Sequence, residues 1–411
     1  MSIEHTSNEL PKEASENWLI SVRKFLKTYR QFIPFFVVMI VLALPLNIFV
    51  IKQLGRMLSF QPKHTQKLPD FSIEKLLNNR LQKEYETWFN DHNPLKSTFT
   101  KFNNQFYYSL FSTSLMFNSN IVVGKKGFLY EKIYTDQYTN PHHLPYTPKQ
   151  FDKWAMDLKE LADFFSKRGQ TFIYLITPSK ATFYPEYLPE SYAKIITNPR
   201  PDYFLKLEAL KKIQVPYVDA SELMLAHKQK PYGNLLFTRG GTHWTMLGAA
   251  LAGQKIIDVI AQQTQTVFPP LAFTYTVSTR PLGVDKDLLH LCKLLFPPKH
   301  YQVPYVTFKA NEKPSPLKLA IIGGSFTHFF KEMFTESNYF SKLDHYYYLI
   351  LNHYQFAEKG KKIEMPINRE DPASYQDILD ADIVLLEENE ILPYSNHFRE
   401  LYYRVLGKLP N

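Results

Sequence analysis

Leu317-Lys-Leu-Ala-Ile-Ile-Gly-Gly-Ser-Phe326 is the stretch on which the fold reading turns. Its apolar run is too short for a core helix and is closed by two glycines, so Leu317 to Ile322 reads as a strand buried on both faces. The chain then enters a helix at Thr327 to Phe334. A serine on a tight strand-to-helix turn needs glycine beside it, because the backbone bends sharply and a neighbouring side chain would block approach. Such a turn aims the N–H groups of Ser325 and Phe326 at one point, where they could hold an oxyanion. The plainer alternative is a glycine-rich turn with Ser325 as helix cap.

The same alternation extends outward. Gln150 to Arg168, Tyr203 to Ile213 and Trp244 to Gln262 read as helices. Phe172 to Thr177, Val215 to Val218, Tyr346 to Leu351 and Ile383 to Leu386 read as strands. Apolar strands alternating with helices predict an α/β fold, a parallel sheet flanked by helices. Upstream, Ser72 to Phe117 has the spacing of one or two amphipathic helices, and Ile121 to Tyr130 reads as a hairpin. Between Thr264 and Pro316, prolines at 269, 270, 281, 297, 298, 304, 314 and 316 break the pattern. That stretch reads as surface excursions with a hairpin at Tyr301 to Phe308, and no function is assigned to it.

Phe32 to Ile51 is uncharged and mostly apolar, and about 20 residues of helix reach about 30 Å, a bilayer's hydrocarbon core. Arg23, Lys24, Lys27 and Arg30 precede it and Lys52 and Arg56 follow, so the positive-inside rule keeps the N-terminus in the cytoplasm. No small-residue cleavage site follows. The expected order is a cytoplasmic segment (1–31), a transmembrane helix (32–51), a polar stalk (52–70) and an extracytoplasmic domain (71–411) whose residues 71–148 form a helical and hairpin lead-in. The 411 residues are 45% hydrophobic, which excludes a mainly disordered chain or a many-pass membrane protein. Lys and Arg outnumber Asp and Glu by 48 to 39, a net +9 that favours anionic partners without choosing among them. The lone cysteine, Cys292, permits neither an internal disulfide nor a multi-cysteine zinc site.

Three more segments join the candidate site, because ligands of such sheets bind beyond the carboxyl ends of strands. Gly240-Gly-Thr-His-Trp244 enters a helix. There His243 could take a proton from a serine, and Trp244 could exclude water and pin the ring. Pro178-Ser-Lys180 follows a strand, so Ser179 and Lys180 are candidates for substrate binding, with Asn352 as a weaker donor. The thirteen histidines form no metal-ligand spacing, and no phosphate-binding glycine motif or dense basic helix exists, so neither a metal, a nucleotide cofactor nor nucleic acid is expected.

Taken in order, Trp88-Phe-Asn-Asp-His92, Val122-Val-Gly-Lys-Lys-Gly-Phe-Leu-Tyr130, Pro178-Ser-Lys180 with Tyr184-Pro-Glu-Tyr-Leu-Pro189, Thr242-His-Trp244 with Gly248-Ala249, Gly323-Gly-Ser-Phe326 and Asp382-Ile-Val-Leu-Leu-Glu-Glu388 resemble the alginate O-acetyltransferase family. These are membrane-anchored, SGNH-hydrolase-like proteins of the bacterial cell envelope. The resemblance implies an SGNH-like α/β fold, an acylated Ser325 and His243 as its base, with Gly324, Phe326 and Trp244 in support. The sequence departs from the family at two places. Gly241 stands where the motif has Asp-Thr-His-Trp, and Gly324 stands where it has Gly-Asp-Ser-Phe. A Ser325–His243 dyad oriented by a backbone carbonyl, an acid supplied from elsewhere such as Glu387 or Glu388, and an inactive binding domain are the three outcomes left open.

The function expected is transfer of an acetyl group to hydroxyls of an envelope or exported polysaccharide through an acyl-serine. The resemblance also implies a multi-pass membrane acyltransferase as donor, at the bacterial inner membrane with the domain on the periplasmic side. An acetyl-polysaccharide esterase, and a polysaccharide-binding or assembly subunit, are the alternatives.

Overall fold

The computed structural model describes residues 32–43, 67–93, 96–115, 120–139, 146–196, 199–356, 362–391 and 393–410. The chain divides into two units, Met1–Lys101 and Phe102–Asn411. In the first, helices cover Ile33–Ala43, Ile73–Leu77 and Arg80–His92. Asn79 separates the last two at φ 60°, a left-handed conformation that asparagine tolerates better than most residues. Ile33–Ala43 has 11 residues, and among the described residues no helix is long and apolar enough to cross a membrane. The rest of the predicted span, the cytoplasmic segment and most of the predicted stalk lie outside the described residues.

The second unit is an α/β body. Its strands are β1 (Ile121–Val123), β2 (Leu129–Glu131), β3 (Thr171–Thr177), β4 (Tyr217–Asp219), β5 (Phe273–Ser278), β6 (Val303–Phe308), β7 (Ser315–Gly323), β8 (Phe340–Tyr347), β9 (Asn352–Phe356), β10 (Lys362–Pro366) and β11 (Ile383–Asn389). Seven of them form one sheet in the order β10-β9-β8-β7-β11-β3-β4. β8, β7, β11, β3 and β4 run parallel. The sheet is mixed, because β9 returns antiparallel to β8 and β10 antiparallel to β9. The link from Tyr347 to Asn352 is too short for a crossover helix, so the next strand has to reverse.

The central strands read as unbroken apolar runs because each face carries its own core. Ile173, Leu175, Leu319, Ile321, Ile383 and Leu385 pack against helices Ala220–His227, Met246–Thr264 and His328–Glu336. Alternate residues Phe172, Tyr174, Ile176, Ala320, Ile322, Val384 and Leu386 face helices Pro148–Lys167, Pro201–Ile213 and Asn396–Leu406. Successive strand residues point to opposite faces, so a run with no polar member is what a doubly covered sheet requires.

A satellite core lies beside the sheet. Ile121, Val123 and Leu129 of the β1–β2 hairpin pack with Leu288, Leu289, Cys292, Leu294, Tyr301 and Val303. The proline-broken stretch is therefore ordered and carries its own ribbon, in which β6 pairs with β5 rather than folding back on itself as predicted. Three further boundaries differ from expectation. Over Ser72 to Phe117 the described residues hold three helices rather than one or two, the third at Lys96–Phe111, and another follows the hairpin at Lys132–Thr139. The helix after Trp244 starts at Met246, with the Thr245 hydroxyl capping Gly248 N–H. β8 covers Phe340–Tyr347 rather than 346–351, because the polar Lys342, Asp344 and His345 obscure the strand; Asp344 pairs with Lys342 and His353, and His345 with Thr327.

Candidate active site

Two chain segments meet beyond the carboxyl end of β7. The first is the turn carrying Ser325. Gly323 is obligatory there: a Cβ would lie 2.6 Å from Thr327 Cγ2 and 2.8 Å from the Glu387 side chain. Glu387, on β11, accepts the Gly324 N–H at 2.8 Å and the Thr177 hydroxyl. Thr327 closes the turn by donating its hydroxyl to Gly324 O at 2.6 Å, and it accepts from His345 Nε2 at 2.8 Å. Burial holds the His345 imidazole well below its usual range. Ser325 begins a short 3₁₀ turn that leads into helix His328–Glu336.

The second segment is Arg239 to Thr245. His243 Nε2 lies 2.7 Å from Ser325 Oγ, across 82 residues of sequence. Its Nδ1 lies 2.7 Å from Asp287 Oδ2. A carboxylate only accepts, so Asp287 fixes the proton on Nδ1 and leaves Nε2 to accept the serine proton. The Asp287 Oδ1 is held by the backbone N–H groups of Thr242, at 2.9 Å, and Leu288. Trp244, buried at 1% exposure, donates its indole N–H to Phe326 O at 3.3 Å and ties the histidine segment to the serine turn. Phe326 packs under the His243 ring with centroids 4.9 Å apart.

The third residue is thus Asp287, from the stretch to which the sequence assigned no function. Gly241 explains the exchange. A Cβ at that position would lie 2.4 Å from Val284 O and 2.9 Å from Thr238 Oγ1. The backbone that delivers Asp287 fills the space an acidic side chain at 241 would need. Buried Leu288 and Leu289 seat Asp287's short helix in the satellite core, and Leu289 N–H donates to Gly240 O at 2.9 Å. A proline-interrupted pattern conceals this, although Asp287-Leu-Leu-His-Leu291 has the polar start and apolar body of a capped turn.

Glu387 and Glu388 do not orient the imidazole. Glu387 supports the serine turn. Glu388 accepts from the Trp154 indole at 3.2 Å, from the Tyr174 hydroxyl at 2.9 Å and from Ser395 N–H at 2.5 Å. Neither Ser179 nor Lys180 is presented for substrate, since both are buried. Ser179 caps Thr182 N–H at 3.2 Å, and its own N–H donates to Glu390 at 2.9 Å. The Lys180 amine donates to Arg239 O at 3.0 Å and Gly241 O at 2.6 Å, so it braces the loop presenting His243. Asn352 donates to the Tyr354 hydroxyl at 3.2 Å and Glu364 at 3.1 Å, within the edge strands. Sequence reasoning also missed Glu131 at the end of β2, which accepts the Thr242 hydroxyl at 3.2 Å. Burial pushes the Glu131 carboxyl up, opposed by the Thr242 hydroxyl and by His243.

Burial pulls the Lys180 amine down from the ordinary lysine range to about 7; Asp287 opposes that fall and Arg239 adds to it. Between pH 7 and the ordinary lysine range the unfolded chain holds a proton that the folded chain has released, so stability rises with pH across that window. Chemical denaturation of the wild type and Lys180→Met at pH 7 and pH 9 reads this directly. The wild type gains stability on the variant as pH rises; parallel pH dependences would contradict it.

Among the described residues, Asp344, His353 and Asp377 bring possible ligand atoms within 4.8 Å of one another. Lys342 lies 3.3 Å from Asp344 and 2.5 Å from Asp377, so the chain supplies its own cation there.

Residues 121–320 match the family described as SGNH hydrolase-like domain, acetyltransferase AlgX. That match includes His243 and Asp287 and ends before Ser325. A probable alginate O-acetylase AlgJ of Pseudomonas aeruginosa is 24% identical over 205 residues, which are 49% of this chain and 49% of that protein. Its counterpart in Pseudomonas syringae pv. tomato is 25% identical over 211 residues, 51% of this chain and 50% of that one. The chain thus spans about half the length of these curated relatives. Among solved structures, the O-acetyltransferase domain of Pseudomonas putida AlgJ aligns with a TM-score of 0.43 at 19% identity, covering 67% of this chain and 94% of that one. Bacillus cereus PatB1 aligns at 0.47 and 13% identity, covering 68% and 98%.

Proposed function

We propose that this chain, which is similar to curated AlgJ proteins and, over residues 121–320, to the AlgX SGNH hydrolase-like domain, is a serine-dependent O-acetyltransferase acting on hydroxyls of an exported polysaccharide. The observation that carries the proposal is the continuous chain of 2.7 Å contacts from Ser325 through His243 to Asp287. Ser325 Oγ attacks the carbonyl carbon of the acetyl donor as its proton passes to His243 Nε2. The carbonyl π pair moves onto oxygen, where the N–H groups of Ser325 and Phe326 are the backbone donors. Collapse of that intermediate expels the donor's leaving group, which takes the proton from His243, and leaves acetyl-serine. A sugar hydroxyl then attacks the acetyl carbon and gives its proton to His243. The second collapse forms the sugar ester and returns the proton to Ser325 Oγ. Asp287 stabilises the imidazolium in both halves without itself taking the proton.

The donor in this reading is a multi-pass membrane acyltransferase, and the uncharged window Phe32 to Ile51 would hold the chain beside it at the inner membrane. The test is partition of product. The full chain is incubated with p-nitrophenyl acetate and an oligosaccharide acceptor, and acetylated sugar and free acetate are measured by NMR. Sugar ester forming at the expense of acetate supports the transferase. Acetate as sole product, at a rate indifferent to the sugar, would overturn it in favour of an esterase.

A further inference from the structure

The turn after β8 carries a conformational cost. Tyr348 and Leu349 lie at φ 52° and 57°, two successive left-handed residues that are not glycine. Each such residue is strained, so surrounding contacts have to hold the pair in place. Leu349 is fully buried in the core beneath the sheet, and Tyr348 N–H donates to Gly323 O at 2.9 Å. Tyr347 and His397 flank the Tyr348 ring with centroids 4.7 and 5.8 Å away.

This geometry sets the ring over the serine turn. A Cβ on Gly324 would lie 3.2 Å from Tyr348 Cε1 and 3.4 Å from its hydroxyl oxygen. Gly324, the second departure from the family motif, is thus the residue over which the ring lies. The Tyr348 hydroxyl lies close enough to Ser325 for that residue's side chain and backbone both to pull the phenol down. Burial, with the negative charges of Glu387 and Glu131, raises the phenol above its ordinary range against the opposing pull of Ser325. The oxygen therefore carries its proton at neutral pH and is a donor.

A hydroxyl set over this turn, beside both the side chain and the backbone of Ser325, stands next to the place where an acyl oxygen sits once Oγ has joined the carbonyl carbon. We propose that Tyr348 is the side-chain member of the oxyanion site, donating its O–H to the oxygen of the tetrahedral intermediate formed on Ser325. This rests on Ser325 being the nucleophile. When the acyl oxygen arrives at the backbone donors, the Tyr348 O–H donates to it. No proton is transferred; the hydrogen bond strengthens as charge develops, so its effect falls on kcat.

The experiment uses the full chain with p-nitrophenyl acetate and compares the wild type, Tyr348→Phe and Ser325→Ala. Tyr348→Phe should lower kcat by about 10²–10³-fold with KM within about twofold and the melting temperature unchanged, the scale of one lost oxyanion donor. If the phenylalanine chain melts below the wild type, O-methyltyrosine at 348, which keeps the oxygen and lacks only the proton, takes its place with the same expected loss. A kcat within twofold of the wild type, or an effect on KM alone, would overturn the inference while an inactive Ser325→Ala leaves the nucleophile in place. Undiminished turnover in Ser325→Ala would overturn both.

Discussion

Ser325→Ala lowers acetyl turnover by about 10⁴-fold or more, with the melting temperature close to that of the wild type. The loss is large because the other two residues serve only through the serine: without Oγ, neither His243 nor Asp287 has a bond to form, and only residual stabilisation of a water attack remains. The fold withstands the change because the turn is held elsewhere. Glu387 takes the Gly324 N–H, Thr327 closes onto Gly324 O, and Trp244 bonds to Phe326 O. Steady-state kinetics with p-nitrophenyl acetate, beside a thermal melt, reads both halves. Full turnover in the alanine chain would contradict the account.

Asp287→Asn is expected to cost about 10³–10⁴-fold in kcat, again with little loss of fold. Asparagine retains one carbonyl oxygen, enough to accept the Thr242 and Leu288 N–H groups that Asp287 Oδ1 now holds. Its amide nitrogen then faces His243 Nδ1 as a donor, which forces the ring proton onto Nε2. A protonated Nε2 cannot accept from Ser325. Gly241→Asp, which restores the acid of the family motif, should not rescue Asp287→Asn, because its Cβ would meet Val284 O at 2.4 Å. Rescue by that second substitution would show that the space at 241 opens freely, against the packing described here.

What the sequence made legible was local. The apolar runs at Phe172 to Thr177, Leu317 to Ile322 and Ile383 to Leu386 announce strands covered on both faces, because nothing polar interrupts them. Ser325 and His243 stand out because glycines and helix starts surround each. Asp287 was illegible for a different reason. Its place beside His243 depends on Leu288 and Leu289 seating in a satellite core with Ile121, Val123 and Leu129, residues more than 150 positions earlier. No periodicity within a window records such a contact. Lys180, Glu387 and Glu388 look like site residues because they are charged groups at strand ends. Each is instead buried and spent on backbone or indole partners. Tyr348 lay hidden inside a predicted strand, since Tyr-Tyr-Tyr-Leu-Ile-Leu has strong strand character and only its turn geometry sets the third ring apart.

Peptide mass spectrometry of the full chain, acid-quenched during turnover of p-nitrophenyl acetate, tests the nucleophile without reliance on rates. An acetyl group on the peptide containing Ser325, localised to that residue by fragmentation and missing from Ser325→Ala, is the predicted result. Turnover with the acetyl group carried on another side chain, or an equal yield of adduct from the alanine chain, would contradict it.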